Sequence, residues 1–477
     1  MSREIRANFE QALMFPPTLE QWVGPEHPAR FVRDFVAALD LKALGFRMRE
    51  SGEGAPNYAP DLVLSAWIYG YMNKIRSTRN LAHACRENMG LIWLTGDTRP
   101  SHNTLSRFWR ANRGPLRKIF KQSVEVAMEA DLIGLVLHAV DGTKIMANSS
   151  RRKMWHREDL EKELKNLDEA VAQVMQEIED SEETQIGRYE LPEAMQDSAE
   201  RKKAIEQALK KLDEVGRDHL SPREPEARLM KNGRGLELSY NGQAVADEKS
   251  GMIVAEEVVN DENDTGQLVP MLEKVAENLG EVAQENLADG GYASAAQIAG
   301  AEEQRYSVLT NRPQGEPSDD SQAAKAQYHC SRFTYDQEAD CVICPQGKRL
   351  RYERTKKSKC KTYDLRVYRC KTFRECAHAG KCSRDKRGRM IEISSYHAAV
   401  VRQRKKRQDL TNKELLKRRK AVIEPVFAWV KSHMGLRRWT VGGLDNVRVQ
   451  WSLVCAAINL NKLYNHWVEG QFNLAQS

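Results

Sequence analysis

The spacing of apolar residues changes at Leu135, and this change constrains the fold more than any other feature of the sequence. Upstream of it, apolar residues recur at helical intervals, as they do across 62–72. From Leu135 onward they form short runs of strand length instead, and the first run covers 135–140. We therefore expect an all-helical N-terminal domain at residues 1–130, followed by a sheet.

Further strand-length runs favour an α/β fold. They cover 236–245, 252–259, a short stretch that ends at Ala288, and 306–310. Helical periodicity returns between these runs, at 265–279 and 293–304. Strands that are linked first by hairpin-like turns and then by helices predict a mixed sheet with flanking helices.

The composition excludes several classes of protein. The chain has 477 residues, of which 41% are hydrophobic, enough to build the core of two or three domains. Its longest apolar run, about 11 residues, falls short of the roughly 20 that a membrane span needs, and the N-terminus lacks a signal-peptide pattern. We expect a soluble, cytoplasmic protein.

Positive charge is concentrated in one part of the chain. The net charge is +7, but the stretch from Lys348 to Lys420 alone holds 27 Lys and Arg against 7 Asp and Glu. A surface of this kind binds a polyanion by displacing its counterions, so we expect a nucleic-acid partner. The alternative is a solvated surface or tail.

Two insertions interrupt the predicted α/β pattern. The first, 157–227, carries Leu160, Leu164 and Leu167 at heptad spacing, which predicts a helical hairpin. We interpret this hairpin as a solvated structural arm, and a surface for contact between subunits is the alternative. The second, 328–390, contains seven of the nine cysteines.

The clustered cysteines indicate a metal site rather than disulfides in a cytoplasmic chain. Cys341 and Cys344 have the spacing of a zinc knuckle, and Cys376 with Cys382 can supply a second pair. The alternative is a reduced, metal-free loop.

The N-terminal region has the outline of a helix-turn-helix. A helix is expected at 77–87, and after a short connection another begins near Asn103 and carries Arg107 and Arg110. These two arginines are candidate DNA contacts, although such outlines are common in helical proteins.

Three carboxylates stand out by their context. Asp141 and Asp289 each follow a predicted strand and precede glycine, and Glu424 lies on a helix among apolar neighbours, where a Glu is usually half-buried. Taken singly, the two Asp residues can be turn or cap residues, and Glu424 can pair with Lys420 or Lys431.

Together, the segments around these acids resemble the three catalytic blocks of bacterial insertion-sequence transposases of the DDE type. The segments are 140–143, 288–292 and 424–431, and the resemblance extends to 240–243 and to the cysteine-rich insertion. Those transposases often carry an Arg four residues before the Glu and a Tyr three residues before that Arg. Here Lys420 and Lys417 stand at those positions.

The resemblance implies an RNase H-like catalytic domain at 131–470 that contains both insertions. It implies that Asp141, Asp289 and Glu424 are the catalytic residues and hold two Mg²⁺ or Mn²⁺ ions, with Asp141 bridging them. It also points to Cys330, Cys344, Cys376 and Cys382 as zinc ligands.

The expected function is that of a DNA transposase. Such an enzyme binds double-stranded DNA at mobile-element ends, cleaves it, joins the freed 3′-hydroxyl to a target, and acts as a homo-oligomer on DNA.

A basic group beside the helix of Glu424 is expected to contact DNA phosphates, and it comprises Arg418, Arg419, Lys420 and Lys431. Two alternatives remain open: an RNase H-like nuclease without strand transfer, and a non-catalytic DNA-binding descendant. We read the remaining nearby acids, Asp247, Asp261 and Asp264, as turn and helix-cap residues.

Overall fold

A computed structural model gives the fold of most of the chain. The structure describes residues 18–48, 58–149, 154–180, 193–221, 223–233, 235–318, 321, 323–358 and 363–472. The first 17 residues of the expected N-terminal domain and Cys360 of the cysteine cluster lie outside the described residues.

The N-terminal part is helical, as the periodicity predicts. Its helices are α1 (Pro28–Ala37), α2 (Leu41–Leu44), α3 (Pro60–Met72), α4 (Thr78–Glu87), α5 (Met89–Leu94), α6 (His102–Ala111) and α7 (Arg113–Glu129). Serine side chains cap two of them, because Ser77 accepts a hydrogen bond from a backbone N–H of α4 and Ser101 accepts one from α6.

The connection between α4 and α6 differs from a tight helix-turn-helix. The apolar stretch that begins at Met89 forms the additional helix α5, which buries Leu91 and Trp93. Asn88 ends α4, and its side chain accepts a hydrogen bond from the Leu91 N–H, so one residue caps both helices. The predicted pair of helices is therefore separated by a third.

The main sheet is mixed. Its strands are β1 (Leu137–Met146), β4 (Arg228–Asn232), β5 (Gly235–Asp247), β6 (Ile253–Val259), β7 (Glu285–Ala288) and β8 (Val308–Thr310). Two short strands between β1 and β4, β2 (Trp155–His156) and β3 (His219–Leu220), pair only with each other. The order across the sheet is β6-β5-β1-β7-β8, and β4 pairs with the first part of β5. β5 is antiparallel to β1 and β6, whereas β7 is parallel to β1 and β8 is parallel to β7.

β1 extends beyond the predicted run of apolar residues. Its second half pairs with β5, where Thr143 lies opposite Gly242 and Lys144 opposite Asn241. The backbone ladder with β5 holds the polar residues 141–144 in strand conformation, and the buried Ile145 and Met146 end the strand. Asp141 therefore lies in the middle of a strand rather than at its end.

Helices flank the sheet and close the fold. They are α10 (Leu268–Leu279), α11 (Ala295–Glu303), α14 (His397–Gln408), α15 (Leu410–Ala428) and α16 (Leu444–Val468), and a π-helical turn, Trp429–His433, follows α15. The last helix, α16, is buried along most of its length and packs on α3, α7 and β6. The N-terminal helices and the sheet consequently share one hydrophobic core.

Two long helices and a second sheet lie between these elements. The helices α8 (Arg157–Asp180) and α9 (Glu193–Val215) join β2 to β3, and they pack on each other through Leu160, Ile205 and Leu212. The second sheet is antiparallel, in the order β13-β12-β11-β10-β9. Its elements are α12 (Ala324–Gln327), β9 (Thr334–Asp336), β10 (Cys341–Ile343), β11 (Arg349–Lys357), β12 (Asp364–Arg369), α13 (Ala379–Cys382) and β13 (Met390–Ser394).

Among the described residues, no helix combines the length and apolar character needed to cross a membrane.

A carboxyl group is buried between β6 and α16. Glu256 is 8% exposed, and Ser452 donates a hydrogen bond of 2.6 Å to its Oε1, while its Oε2 has no partner among the described residues. Burial raises the pKa of Glu256 to about 7. The native state therefore binds this proton more tightly than the unfolded chain, and its stability falls as the pH rises from the unfolded pKa through the folded one.

We predict that Glu256→Gln leaves the Tm almost unchanged at pH 5 and raises it at pH 8. The amide keeps an acceptor for Ser452 but cannot ionise, so it avoids a cost on the order of 2 to 3 kcal/mol that the wild type meets at pH 8. Thermal unfolding from pH 5 to pH 8 measures the difference. A Tm difference that does not change with pH would show that Glu256 does not titrate in this range.

Candidate active site

Asp141 on β1 lies beside Asp289, which directly follows the neighbouring strand β7. β1 and β7 are parallel, and Val140 is in register with Ala288. Each aspartate follows one of these paired residues, so both carboxylates are at the same level of the sheet. The Asp141 side chain is 25% exposed and that of Asp289 is 52% exposed.

Arg419 of α15 joins the two carboxylates. Its Nη1 lies 2.9 Å from Asp141 Oδ2, and its Nη2 lies 3.7 Å from Asp289 Oδ1. The Arg419 side chain is only 7% exposed. This burial contradicts the prediction that Arg419 belongs to a surface for DNA phosphates. Arg419 is buried because it lies three and four residues before Val422 and Ile423, on the same buried face of α15.

The environment of Asp141 favours its neutral form. Burial raises the pKa of Asp141, and the negative charge of Asp289 raises it further. The Arg419 guanidinium and the Gly142 N–H, which donates to Asp141 Oδ1 at 2.8 Å, oppose this rise. An additional cation at this position would stabilise the charged form in the same way.

Close packing accounts for the glycines that follow the two aspartates. A Cβ at position 142 would lie 2.4 Å from Gln243 Nε2 and 2.9 Å from Asp264 Oδ1. A Cβ at position 290 would lie 2.0 Å from the carbonyl oxygen of Arg312. Only glycine fits either position without displacement of its neighbours.

Asp264 is a third carboxylate near Gly142, although its sequence context indicates only a capping role. Its Oδ1 accepts hydrogen bonds of 2.7 Å from both Asn241 Nδ2 and Gln243 Nε2. The expectation that its side chain caps the following helix is wrong, because α10 begins at Leu268 after Gln267, with no side-chain cap. The one sequence feature that indicates this contact is the segment 240–243, because its two amide side chains, Asn241 and Gln243, need a hydrogen-bond partner such as a carboxylate.

Tyr292, in the short turn that follows β7, completes this network. Its hydroxyl donates to Gln243 Oε1, so Gln243 links Tyr292 to Asp264. Burial raises the pKa of Tyr292 well above its ordinary value, and the charges of Asp264 and Asp141 raise it further. The phenol therefore stays protonated and acts as a hydrogen-bond donor.

Glu424 is on the same helix as Arg419 but on another face. Its side chain is 60% exposed, and its Oε1 lies 4.0 Å from Lys420 Nζ. The expectation of a half-buried Glu is wrong, because Val422, Ile423 and Val426 turn toward the core while Glu424 points away from it. Nowhere in the described ranges do three or more His, Cys, Asp or Glu side chains form a group that could hold a metal ion. The assignment of Glu424 as the third acid thus stays a prediction.

The other basic residues have different surroundings. Arg418 is 54% exposed and pairs with Glu248, and the Lys420 side chain is 69% exposed. Burial lowers the pKa of Lys431, whereas the charge of Asp141 raises it, so the ammonium group lies within electrostatic reach of the site. Arg107 and Arg110 are both exposed on α6.

Several cysteines of the second sheet lie together. Cys344, Cys370 and Cys382 contribute to one apolar cluster. Burial raises the pKa of Cys382, and the nearby Cys344, Cys370 and Cys376 raise it further. Cys330, in contrast, is exposed, and its sulphur lies 3.8 Å from the ring nitrogens of His329. Cys85 and Cys455 are buried, in agreement with a packing role.

Two protein-family models match the chain. One, described as a transposase DDE domain, covers residues 343–464, and the other, described as transposase domain DUF772, covers 17–111. Glu424 falls within the first match, whereas Asp141 and Asp289 lie outside both. No curated protein matches the chain.

A solved structure of a piggyBac transposase synaptic complex with hairpin DNA is also similar. The two chains share 8% sequence identity, and the similarity covers 93% of this chain and 76% of that one at a TM-score of 0.34. Because transposase models match both the N-terminal and the C-terminal parts of the chain, the predicted resemblance to DDE-type transposases is confirmed.

Proposed function

We propose that this protein is a DNA transposase that binds mobile-element ends and catalyses metal-dependent strand cleavage and strand transfer. The observation that carries the proposal is the position of Asp141 on β1 beside Asp289, which directly follows the adjacent parallel strand β7, with Arg419 between their carboxylates. The transposase family models at both ends of the chain agree with it.

The sheet supports an RNase H-like catalytic core. Three antiparallel strands, β6, β5 and β1, are followed by two strands parallel to β1, and this is the arrangement that the resemblance implies. We propose a DNA-binding domain at 1–130 and a catalytic domain at 131–470 with insertions at 157–227 and 328–390. The separate small cores of the α8–α9 pair and of the second sheet are consistent with two inserted modules.

The chemistry of the donors fits hard divalent cations. Asp141, Asp289 and Glu424 would hold Mg²⁺ or Mn²⁺, and carboxylate oxygens are the ligands that such ions prefer. Bound ions would supply an activated oxygen nucleophile and neutralise the charge that develops on the phosphate.

The side chains around the two aspartates have roles of their own. Arg419 holds the two carboxylates together and opposes the rise in the pKa of Asp141 that burial and the charge of Asp289 cause. Asn241, Gln243 and Tyr292 fix Asp264 against Gly142. Lys431, within electrostatic reach of Asp141, can contact the phosphate at the reacting centre. Arg418 and Lys420 are exposed on the same helix and can contact the DNA backbone farther out.

The acids can be tested one at a time. Asp141→Asn, Asp289→Asn and Glu424→Gln should each reduce metal-dependent cleavage of a mobile-element end to less than about a tenth of wild type, while duplex binding stays near normal. The reason is that ligation of the ions is lost but the phosphate-contacting surface is kept. Cleavage and binding are measured on the same labelled duplex. Full activity of Glu424→Gln would remove Glu424 from the site, and nicked product without joined product would favour the nuclease alternative.

The role of Arg419 gives a prediction that does not depend on activity. Arg419→Gln should destabilise the protein at pH 7 by about 3 kcal/mol, because it leaves two adjacent carboxylates without their counter-charge. Added Mg²⁺ should raise the Tm of this variant more than that of the wild type. Thermal unfolding with and without Mg²⁺ measures both effects.

Arg418→Gln is the matched control for this experiment, since Arg418 is the preceding residue of the same helix but is exposed. It should change the stability by about 0.5 kcal/mol or less. Equal destabilisation by the two variants would contradict a special role for Arg419.

The cysteine cluster leads to a proposal of a structural zinc. Cys344, Cys376 and Cys382 would be ligands, and the surroundings of Cys382 favour Cys370 over Cys330 as the fourth. Zinc binds thiolates and stabilises small domains. Because no three of these thiols already form a metal-holding group among the described residues, a bound ion would draw them closer together.

We predict about one equivalent of zinc in freshly reduced protein. Cys370→Ser should lower the zinc content strongly, and Cys330→Ser should leave it nearly unchanged. Metal analysis of the purified variants decides between the two ligand sets. A wild type without zinc would support the metal-free loop instead.

A further inference from the structure

A basic cleft lies between the N-terminal helices and the segment that joins α15 to α16. Its volume is about 350 Å³. Arg76, Arg110 and Arg113 line it from the N-terminal side, and Thr440 and Asn446 line it from the other side. The cleft is distinct from the aspartate site, since neither Asp141 nor Asp289 lines it.

The three arginines have no negative partner. In the part of the chain that the structure describes, none of them forms an ion pair with Asp or Glu, and no acidic residue lines the cleft. The backbone accepts from two of them, because Arg76 donates to the carbonyl of Met434 at 2.6 Å and Arg110 donates to that of Ser106 at 3.4 Å. The Nε of Arg76 and that of Arg113 are buried and have no acceptor among the described residues.

Acidic residues near the cleft do not neutralise these charges. Glu224 is buried behind Gly442, and its carboxylate already accepts hydrogen bonds from the backbone N–H groups of Ser149 and Gly443. Burial lowers the pKa of Arg76, as expected for a guanidinium that lacks a counter-charge. Three cations around one concave surface favour an anion as ligand.

The aromatic residues of the cleft argue against recognition of a base. Trp67 and Trp109 line it, but they are only 2% and 6% exposed, and their rings pack on each other at a centroid distance of 4.9 Å. No open ring face is therefore offered for stacking, and the arginine guanidiniums are the groups that can reach a ligand. A guanidinium binds phosphate through two parallel hydrogen bonds.

We infer that this cleft binds a backbone phosphate of DNA and so holds the duplex across the junction of the N-terminal helices with the catalytic part. The inference rests on the proposed function, because it names the DNA contact that the transposase would use. It assigns Arg110 and Arg113 to phosphate contact, and it therefore predicts sequence-independent, salt-dependent binding rather than base reading at this position.

A matched pair of variants tests the inference. Arg110→Gln removes a cleft arginine, and Arg86→Gln removes an exposed arginine at the corresponding position of α4, another helix of ten residues, outside the cleft. Binding of a labelled duplex is measured by fluorescence anisotropy in EDTA, from 50 to 300 mM salt. Arg110→Gln should weaken binding roughly tenfold at low salt and flatten the slope of log K against log salt by about 0.9, whereas Arg86→Gln should change neither.

Further variants separate the outcomes. Arg110→Lys should keep the salt slope, and Arg110→Gln combined with Arg113→Gln should flatten it by about twice as much as the single variant.

Equal losses for Arg110→Gln and Arg86→Gln, or no loss for either, would overturn the inference while leaving DNA binding by the wild type intact. A wild type that binds no duplex would overturn the proposed function and the inference together. If inorganic phosphate stabilised the wild type but not the double variant, with DNA binding unchanged, the cleft would be a site for a free anion and the DNA assignment would be wrong.

Discussion

The salt bridge from Arg419 to Asp141 and Asp289 is the interaction on which the candidate site depends. Parallel pairing of β1 with β7 forces the two carboxylates to the same level, where their charges repel. A buried guanidinium from α15 compensates this repulsion, so the late helix is held against the sheet by electrostatics as well as by its apolar face. A positive charge is thus built into the place where the proposed reaction needs cations. Ion binding there and the position of α15 should be coupled, because both act on the same two carboxylates.

The network around Gly142 shows how backbone geometry positions the acids. The missing side chain at this position makes room for the Gln243 side chain. Its Nε2 donates a hydrogen bond to Asp264, and its Oε1 accepts one from the Tyr292 hydroxyl. Gly242 lies against Trp451 of α16, where a Cβ would be 3.3 Å from the indole ring. The central strands are therefore fixed from both faces of the sheet. A larger residue at either glycine would have to displace these side chains, and with them the contacts that hold β1 and β5 in place beside the aspartates.

The sequence predicts the parts of this arrangement that local pattern controls, and it misses those that depend on contacts between distant segments. The strand runs predict the mixed sheet, and the two Asp-Gly steps mark each aspartate as a candidate, because apolar runs and glycine are local signals. Only the family resemblance implied that the two aspartates act together. The roles of Asp264 and Arg419 follow from partners that are distant in the chain, such as Asn241 and Asp141, and no local pattern encodes them. The exposure of Glu424 could have been read from helical periodicity, which places Val422 and Val426 on the face toward the core and Glu424 away from it.

The shared core has a mechanical consequence for the DNA cleavage that we propose. Helix α16 packs on α3 and α7 as well as on β6, so the N-terminal helices cannot turn freely with respect to the sheet. DNA held at the cleft beside Arg110 would then meet the aspartate pair at a fixed distance and orientation. Positioning of this kind lowers the entropic cost of bringing a phosphodiester to the reacting groups. The place at which the strand is cut, relative to the bound phosphate, would be set by the rigid packing of α16 rather than by a flexible linker.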